Sequence, residues 1–398
     1  MKIKARSLAL TALLPFSFPI ILKELGYKKK ETLVLIAFIL ALISFTYLPY
    51  VTSDKATYYG YYEYYADMSL IEFLNFLIIG RADYVFHFFI YLFSTFNIPF
   101  HFLFLIITYT TVFIWYDIFY EIIAKQNIGS KQYIFFFLLL VFSFSVSSLL
   151  SGVRFYLAVT ISLSGLYRGI LKERKINGII LILISSIIHY GCLIFLPAYF
   201  VFVFFKNNHK LFLIIFLVSF TFLALPKEFL LEKFEKLNLI ETRQTRIDNY
   251  LGNEDLIERG LKTLNTNYLI QYYINMAWIY FAYLYILLTI KRKSMLRDIF
   301  YITFAISNLF YASPVIYNRY IILVKSLFIL LIINEYYLNY KYKKLIHSIF
   351  FVFLLSFFVN IYVIRVPLIK SIFQIENATL PTTLLKKDFQ TKDFIEVK

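Results

Sequence analysis

Ser151-Gly152-Val153-Arg154-Phe155-Tyr156-Leu157-Ala158 opens an apolar run that ends in a basic turn, Lys172-Glu173-Arg174-Lys175. A second apolar run then leads to Ile188-His189-Tyr190-Gly191. Two such runs around a basic turn read as a hairpin of membrane helices. At about 1.5 Å rise per residue, Arg154 lies roughly 25 Å and His189 roughly 18 Å from that turn. The two side chains are then within about one and a half helical turns of the same membrane depth. An arginine and a histidine held together there are costly unless something polar is handled beside them.

The rest of the chain agrees with a membrane setting. Of 398 residues, 60% are hydrophobic and only 16% charged, with mean hydropathy +0.71, against roughly 45–50% and 25% for a soluble domain. Apolar runs near spanning length recur along the whole sequence. The expected fold is all-α: a polytopic integral membrane protein of about 10–12 transmembrane helices, forming one domain over residues 1–398. The excess of 16 positive charges sits in short clusters between apolar runs, as in cytoplasmic loops, and is no nucleic-acid footprint. With Cys192 as the one cysteine, there is no internal disulfide and no thiolate metal site.

Met1–Arg6 is basic and Leu8–Leu22 apolar, but no small-x-small cleavage site follows, so this reads as a retained first helix. Lys23–Lys30 carries four lysines and reads as cytoplasmic, and Leu33–Tyr50 crosses outward. Residues 51–98 form the first outer loop. Its start is tyrosine-rich and leans acidic, Met68–Ile79 is amphipathic and expected to lie along the surface, and Tyr84–Asn97 is short for a span. Spans follow at about Phe100–Ile122, Tyr133–Leu150, Phe155–Leu171, Gly178–Phe205 and Leu211–Leu225, then Tyr268–Ile290, Ile299–Ser313, Ile321–Leu338 and Ile346–Ile364. The polar loop 226–267 holds eight acidic and seven basic residues and so lacks the bias of a cytoplasmic loop; a polar tail covers 365–398.

Lys291-Arg292-Lys293 and Lys341–Lys344 can both be cytoplasmic, which puts the 226–267 loop, the Asn318-Arg319 turn and the tail outside. If Tyr84–Asn97 does not cross, the first half puts Arg154 outside and Lys172–Lys175 inside. The halves disagree by one crossing around Gly178–Phe205. That segment, about 42 Å as a helix, is either a tilted span or a helix broken at His189-Tyr190-Gly191.

Metal and nucleotide sites have no support: the five histidines are scattered, and no Gly-x-x-x-x-Gly-Lys, Gly-x-Gly-x-x-Gly or Gly-x-Ser-x-Gly occurs. Arg154 reads either as a snorkelling arginine at a helix end or as a fork for phosphate or diphosphate. His189 is either a satisfied buried donor or a functional group within the membrane. Asp54, Asp67 and Asp83 line the first outer loop as a solvated face, or one of them serves as general base to a sugar hydroxyl. Arg243 and Arg246 read as charge pairs within a solvated loop or as basic groups of the outer face. Arg319, after Pro314 at a helix break, is the better candidate.

Four places together resemble the EpsG family of bacterial membrane proteins, a branch of the Wzy-type polysaccharide polymerases. They are the basic turn at Lys23–Lys30, the segment Asp54–Tyr61, Gly152–Ala158, and Ile188–Ile194 after the Lys-Glu-Arg-Lys turn. Gly152–Ala158 is similar to the family's Gly-x-Arg-Gln-x-Leu-Ala, and Ile188–Ile194 to its Ile-His-x-Ser-Ala-Leu-Ile. The specific part covers roughly residues 25–205. Phe155 stands where glutamine is usual and Gly191-Cys192 where Ser-Ala is usual. Tyr47-Leu48-Pro49-Tyr50 lacks the arginine often found before the aspartate.

The resemblance implies a GT-C-like arrangement with interfacial helices in the first outer loop, in the bacterial cytoplasmic membrane. It implies a glycosyltransferase that joins oligosaccharide units carried on undecaprenyl diphosphate at the outer face, for O-antigen, capsule or exopolysaccharide. The lipid bilayer and these lipid-linked units are the expected partners, with a chain-length regulator and flippase of the same pathway allowed, and no nucleic acid. Arg154, His189 and Asp54 are the expected catalytic residues, with Arg319, Arg243, Arg246, Arg81 and Tyr58 binding substrate. No cofactor or metal is expected, because the diphosphate is already a good leaving group. The alternatives are an O-antigen ligase, which shares the donor, and a flippase or transporter of lipid-linked oligosaccharide, though neither internal repeats nor charges inside several spans favour the latter.

Overall fold

In hydrocarbon a backbone must satisfy its own hydrogen bonds, so the Phe-, Ile- and Leu-rich runs of this chain have helix as their outlet. The computed structural model describes residues 30–80, 83–126, 128–206, 208–224, 266–336, 341–377, 379–385 and 393–396. Leu8–Leu22, Arg81, Arg243 and Arg246 lie outside them. The first half comprises α1 (Lys30–Thr46), α2 (Asp54–Tyr65), α3 (Leu70–Gly80), α4 (Tyr84–Thr95), α5 (Phe100–Ala124), α6 (Ser130–Ser143) and α7 (Val146–Leu150). Next come α8 (Val153–Leu166), continued by a π turn (Tyr167–Leu171), and α9 (Lys175–Ile188). A 3₁₀ turn (Tyr190–Ile194) leads into α10 (Phe195–Phe204), and α11 (His209–Val218) ends in another (Ser219–Ala224). The second half comprises α12 (Thr266–Leu288), α13 (Met295–Leu309), α14 (Pro314–Glu335), α15 (Lys343–Val363), α16 (Arg365–Ile372) and α17 (Leu380–Leu384).

The protein is an all-α, polytopic membrane protein. Phe100–Ala124, Ile316–Glu335 and Lys343–Val363 are each long and apolar enough to cross a bilayer. Several shorter apolar helices run end to end across breaks, as at α6–α7 and α11 with its 3₁₀ turn. Among the described residues there is no strand; a lone bridge pairs Tyr50 with Ile395. Through it the segment 393–396 folds back beside the first loop, with Ile395 N donating to Pro49 O (3.0 Å) and Phe394 edge-on to Tyr59. The polar tail is thus in part a cover over that loop.

One end of the bundle gathers the basic residues and pairs them. Lys30 and Arg168 both reach Asp117 on α5 (2.6 and 3.2 Å), and Lys172 reaches Glu121 one turn on (2.7 Å). Deeper at this end, Arg297 is fully buried against Glu335, with Nε donating to Oε1 at 3.0 Å and Nη1 to Thr289 O at 3.0 Å. That network joins the end of α12, the start of α13 and the end of α14.

The disputed segment 178–205 is a hairpin. α9 runs away from the basic end to His189, and α10 comes back: Tyr199 donates to Lys175 O at 2.9 Å, and Lys206 pairs with Glu173 in the turn before α9. The hydrogen bond from the Lys206 ammonium, together with its charge, holds the exposed Glu173 carboxyl below the ordinary carboxylate range. Of the two alternatives the sequence leaves, the broken helix is what forms, and it doubles back. The added crossing reconciles the two halves of the chain.

Small residues let this hairpin pack tightly on α8. A Cβ added at Gly165 would stand 2.9 Å from Gly178 O, and one at Gly178 would stand 2.7 Å from Gly169 Cα. Across the same seam Ser162 and Ser185 share a hydrogen bond of 2.6 Å. Close approach through glycines, with a hydroxyl pair between them, is a common way for membrane helices to associate.

Candidate functional site

At the end opposite the basic cluster, α8 opens on Gly152 and Arg154, and three other parts of the chain converge on it. Arg154 Nη1 meets Asp83 Oδ2 at 2.8 Å, with the arginine side chain 18% exposed and the aspartate 9%. Asp83 stands at the N-cap of α4 without capping it through its side chain. Its other oxygen, Oδ1, is buried and has no hydrogen-bond donor on it among the described residues. Beneath the guanidinium lie the rings of Tyr58 (5.5 Å) and Phe86 (5.9 Å), themselves packed edge to face. A cation over two aromatic faces, with a carboxylate at its edge, is held in place rather than snorkelling.

Asp54 lies on the other side of α8's first turn. Its Oδ2 stands 3.5 Å from where a Cβ on Gly152 would be, so glycine lets the carboxylate approach this backbone. Lys55, the next residue, brings it there. The Lys55 amide donates to Ser151 Oγ (3.1 Å), and its ammonium turns inward to Ser44 O (2.7 Å) and Tyr47 O (2.9 Å), carbonyls at and beyond the last turn of α1. Lys55 Nζ also lies 4.7 Å from the centre of the Phe104 ring, and the side chain is wholly buried. A cation on the open carbonyls of a helix end completes bonds that the helix itself leaves unmade.

His189 occupies the apex between α9 and α10, in extended conformation. Its Nδ1 accepts the Gly191 amide at 3.2 Å, so the neutral ring carries its proton on Nε2. Phe155 packs edge-on against the imidazole at 4.9 Å, and Arg319 lies over the same Phe155 ring at 5.9 Å. The Tyr320 hydroxyl fastens the apex to α14 by donating to Gly191 O at 2.7 Å. A Cβ on Gly191 would come within 3.2 Å of both His189 Cε1 and the Tyr320 oxygen, which accounts for glycine there.

The structure therefore brings Arg154, His189, Asp54, Arg319 and Tyr58 into one neighbourhood. Arg81, Arg243 and Arg246 lie outside the described residues. Asp67 is exposed in the turn after α2. Asp83 departs from the solvated-face reading: it is buried at the start of a short helix, where Arg154 of α8 pairs with it. Lys55 gave no signal in the sequence beyond one lysine in a tyrosine-rich acidic stretch.

A chain of this build, with an arginine–histidine pair spanning α8 and α9, can be compared with known families. The EpsG family model matches residues 31–373. The chain belongs to the EpsG family. The match covers nearly the whole chain, well past the 25–205 region that carries the sequence motifs. No curated protein and no solved structure matches. In this EpsG-family member the two departures from the motif now have physical partners. Phe155 supplies an aromatic wall between His189 and Arg319, and Gly191 gives Tyr320 room to reach the apex.

Beside this cluster lies a polar cavity of about 290 Å³, lined among others by Ser145, Ser148, Asn275, Asn318, Lys325 and Asn360. It adjoins the Arg154 neighbourhood through two elements. Ser148 Cα lies 3.4 Å from the added Cβ position on Gly152, opposite Asp54, and Asn318 precedes Arg319 on α14.

Proposed function

We propose that this EpsG-family protein is a Wzy-type polysaccharide polymerase, joining oligosaccharide repeat units carried on undecaprenyl diphosphate. The observation that carries the reading is that Phe155, next to Arg154 on α8, has His189 edge-on against it and Arg319 over its ring at one end of a membrane bundle, in a chain matched over residues 31–373 by the EpsG model. Two guanidinium groups at that depth suit a diphosphate, whose oxygens accept paired N–H bonds. The distribution of lysine and arginine supports a cytoplasmic basic end, and with it a site at the outer face of the cytoplasmic membrane.

In the reaction the terminal hydroxyl of one unit attacks the anomeric carbon at the reducing end of the growing chain. The bond from that carbon to the diphosphate oxygen breaks, and undecaprenyl diphosphate leaves with the electron pair. Arg154, held by Asp83 and the Tyr58–Phe86 platform, and Arg319, held over Phe155, stabilise the charge that grows on the leaving oxygen. His189 presents Nε2–H to the same group. Asp54, exposed at the start of α2, takes the proton from the attacking hydroxyl.

Replacing Arg154 with alanine in the producing cell is expected to abolish the ladder of polymer lengths at unchanged protein level, while Arg154→Lys retains a trace. Polymer of normal length and amount from the alanine variant refutes the assignment.

A further inference from the structure

The 290 Å³ cavity has a wall unlike that of the Arg154 cluster. Its polar lining is neutral, made of serine hydroxyls and the amides of Gln271, Asn275, Asn318 and Asn360, with one exception. Lys325, three turns into α14, is the single charged side chain lining it. Among the described residues no carboxylate pairs with Lys325 and no hydrogen-bond acceptor holds its ammonium; Nζ lies 5.0 Å from the centre of the Phe353 ring. By contrast, the buried Arg297 has Glu335 and the buried Lys55 has two carbonyls.

Two further features point to a ligand. The Asn318 side-chain oxygen is buried and has no donor on it among the described residues. Asn275 and Asn360 are fixed in advance, Asn275 Oδ1 accepting from Ser356 Oγ (2.7 Å) and from Asn360 Nδ2 (3.0 Å). Hydroxyls and oriented amides are the groups that recognise sugar hydroxyls, and a cavity near 300 Å³ is at the lower edge of small-molecule sites. A half-buried ammonium with no counter-ion among the described residues is costly unless the ligand brings the negative charge.

We infer that this chamber receives a sugar of the repeat unit that carries a carboxylate, of the uronic acid class, with Lys325 as its counter-ion. The identification of the ligand as a saccharide rests on the polymerase reading. Ser148 of the chamber wall and Asp54 both approach Gly152, so the chamber lies near the carboxylate proposed as acceptor base. Lys325 is then a specificity-determining residue, and it selects which units are extended.

Trp278 also lines the chamber, and the chain has only two tryptophans. A Trp115→Phe background therefore makes Trp278 the sole tryptophan of the purified full-length protein, read by selective tryptophan excitation. Methyl β-glucuronide is expected to quench its emission saturably, and methyl β-glucoside to bind about tenfold more weakly or worse, the value of a charge-assisted bond. Lys325→Met is expected to erase that preference and Lys325→Arg to keep it. Equal binding of the two glycosides, no saturable binding, or a preference that survives Lys325→Met overturns the inference. So does pyrophosphate that quenches as tightly as the glucuronide and loses this with Lys325→Met, which marks the chamber as a carrier-phosphate site. The glycoside comparison keeps Lys325 unsubstituted, so it does not depend on a Lys325 variant folding. Normal polymer from Arg154→Ala alongside an intact glucuronide preference separates failure of the polymerase reading from failure of this one.

Discussion

The contact between Arg154 and Asp83 is the most exposed to measurement, because its strength follows from geometry alone. Opposite charges whose centres lie about 4 Å apart attract by about 4 kcal/mol at an effective dielectric constant near 20. Burial of both side chains, 18% and 9% exposed, sets a desolvation cost against this and leaves a coupling of roughly 1.5–4 kcal/mol. Asp83→Asn keeps the shape and removes the charge, leaving a guanidinium over Tyr58 and Phe86 without its carboxylate. That change alone is expected to destabilise by about 3 kcal/mol. Arg154→Gln leaves the aspartate equally uncompensated. The double variant loses both charges and is expected to be more stable than the sum of the single effects by the coupling energy. Unfolding free energies from SDS titration in mixed micelles measure all four corners of the cycle. A coupling within about 0.5 kcal/mol of zero refutes a formed ion pair, and with it the claim that Asp83 holds Arg154 for its substrate.

Two other changes test the frame. Glu335→Gln removes the buried partner of Arg297 and is expected to cost about 3–5 kcal/mol in the same titration, far more than any exposed pair at the basic end. Gly178→Ala puts a methyl 2.7 Å from Gly169 Cα and is expected to cost about 1–3 kcal/mol through overpacking of the α8–α9 seam; a neutral or stabilising result would mean that the helices are farther apart than described.

Much of this was legible in sequence because hydrophobic run length is a strong signal in membranes. The expected span Phe100–Ile122 became α5, Phe100–Ala124, and Ile346–Ile364 became α15, Lys343–Val363. The depth arithmetic from the basic turn brought Arg154 and His189 to the same end, where the structure has them. What could not be read was the return of the chain after His189, since a 28-residue apolar run has the same composition whether it crosses once or doubles back. Only the pairing of Lys206 with Glu173 and of Tyr199 with Lys175 decides that. Asp83 and Lys55 escaped for a related reason. Each is a lone charged residue in a loop-like context, and its burial depends on helices distant in sequence. The polar cavity joins residues from α6 to α15 and leaves no local motif at all.

The length of the α9–α10 hairpin sets a condition on the membrane around it. The 14 residues of α9 rise about 21 Å, some 9 Å short of a hydrocarbon core of about 30 Å. Beyond Lys175 and Asn177 in its first turn its outward face is apolar, with Ile180, Leu183, Ile184 and Ile187 exposed along one stripe that suits lipid. A short apolar wall draws the bilayer thin at a cost of fractions of a kcal/mol per Å. Lipid headgroups beside His189 therefore ride lower than elsewhere on the protein's rim. A carrier lipid drifting into that dimple would present its diphosphate at the level of the apex without being lifted from the leaflet, and a thicker membrane would flatten the dimple and close the approach.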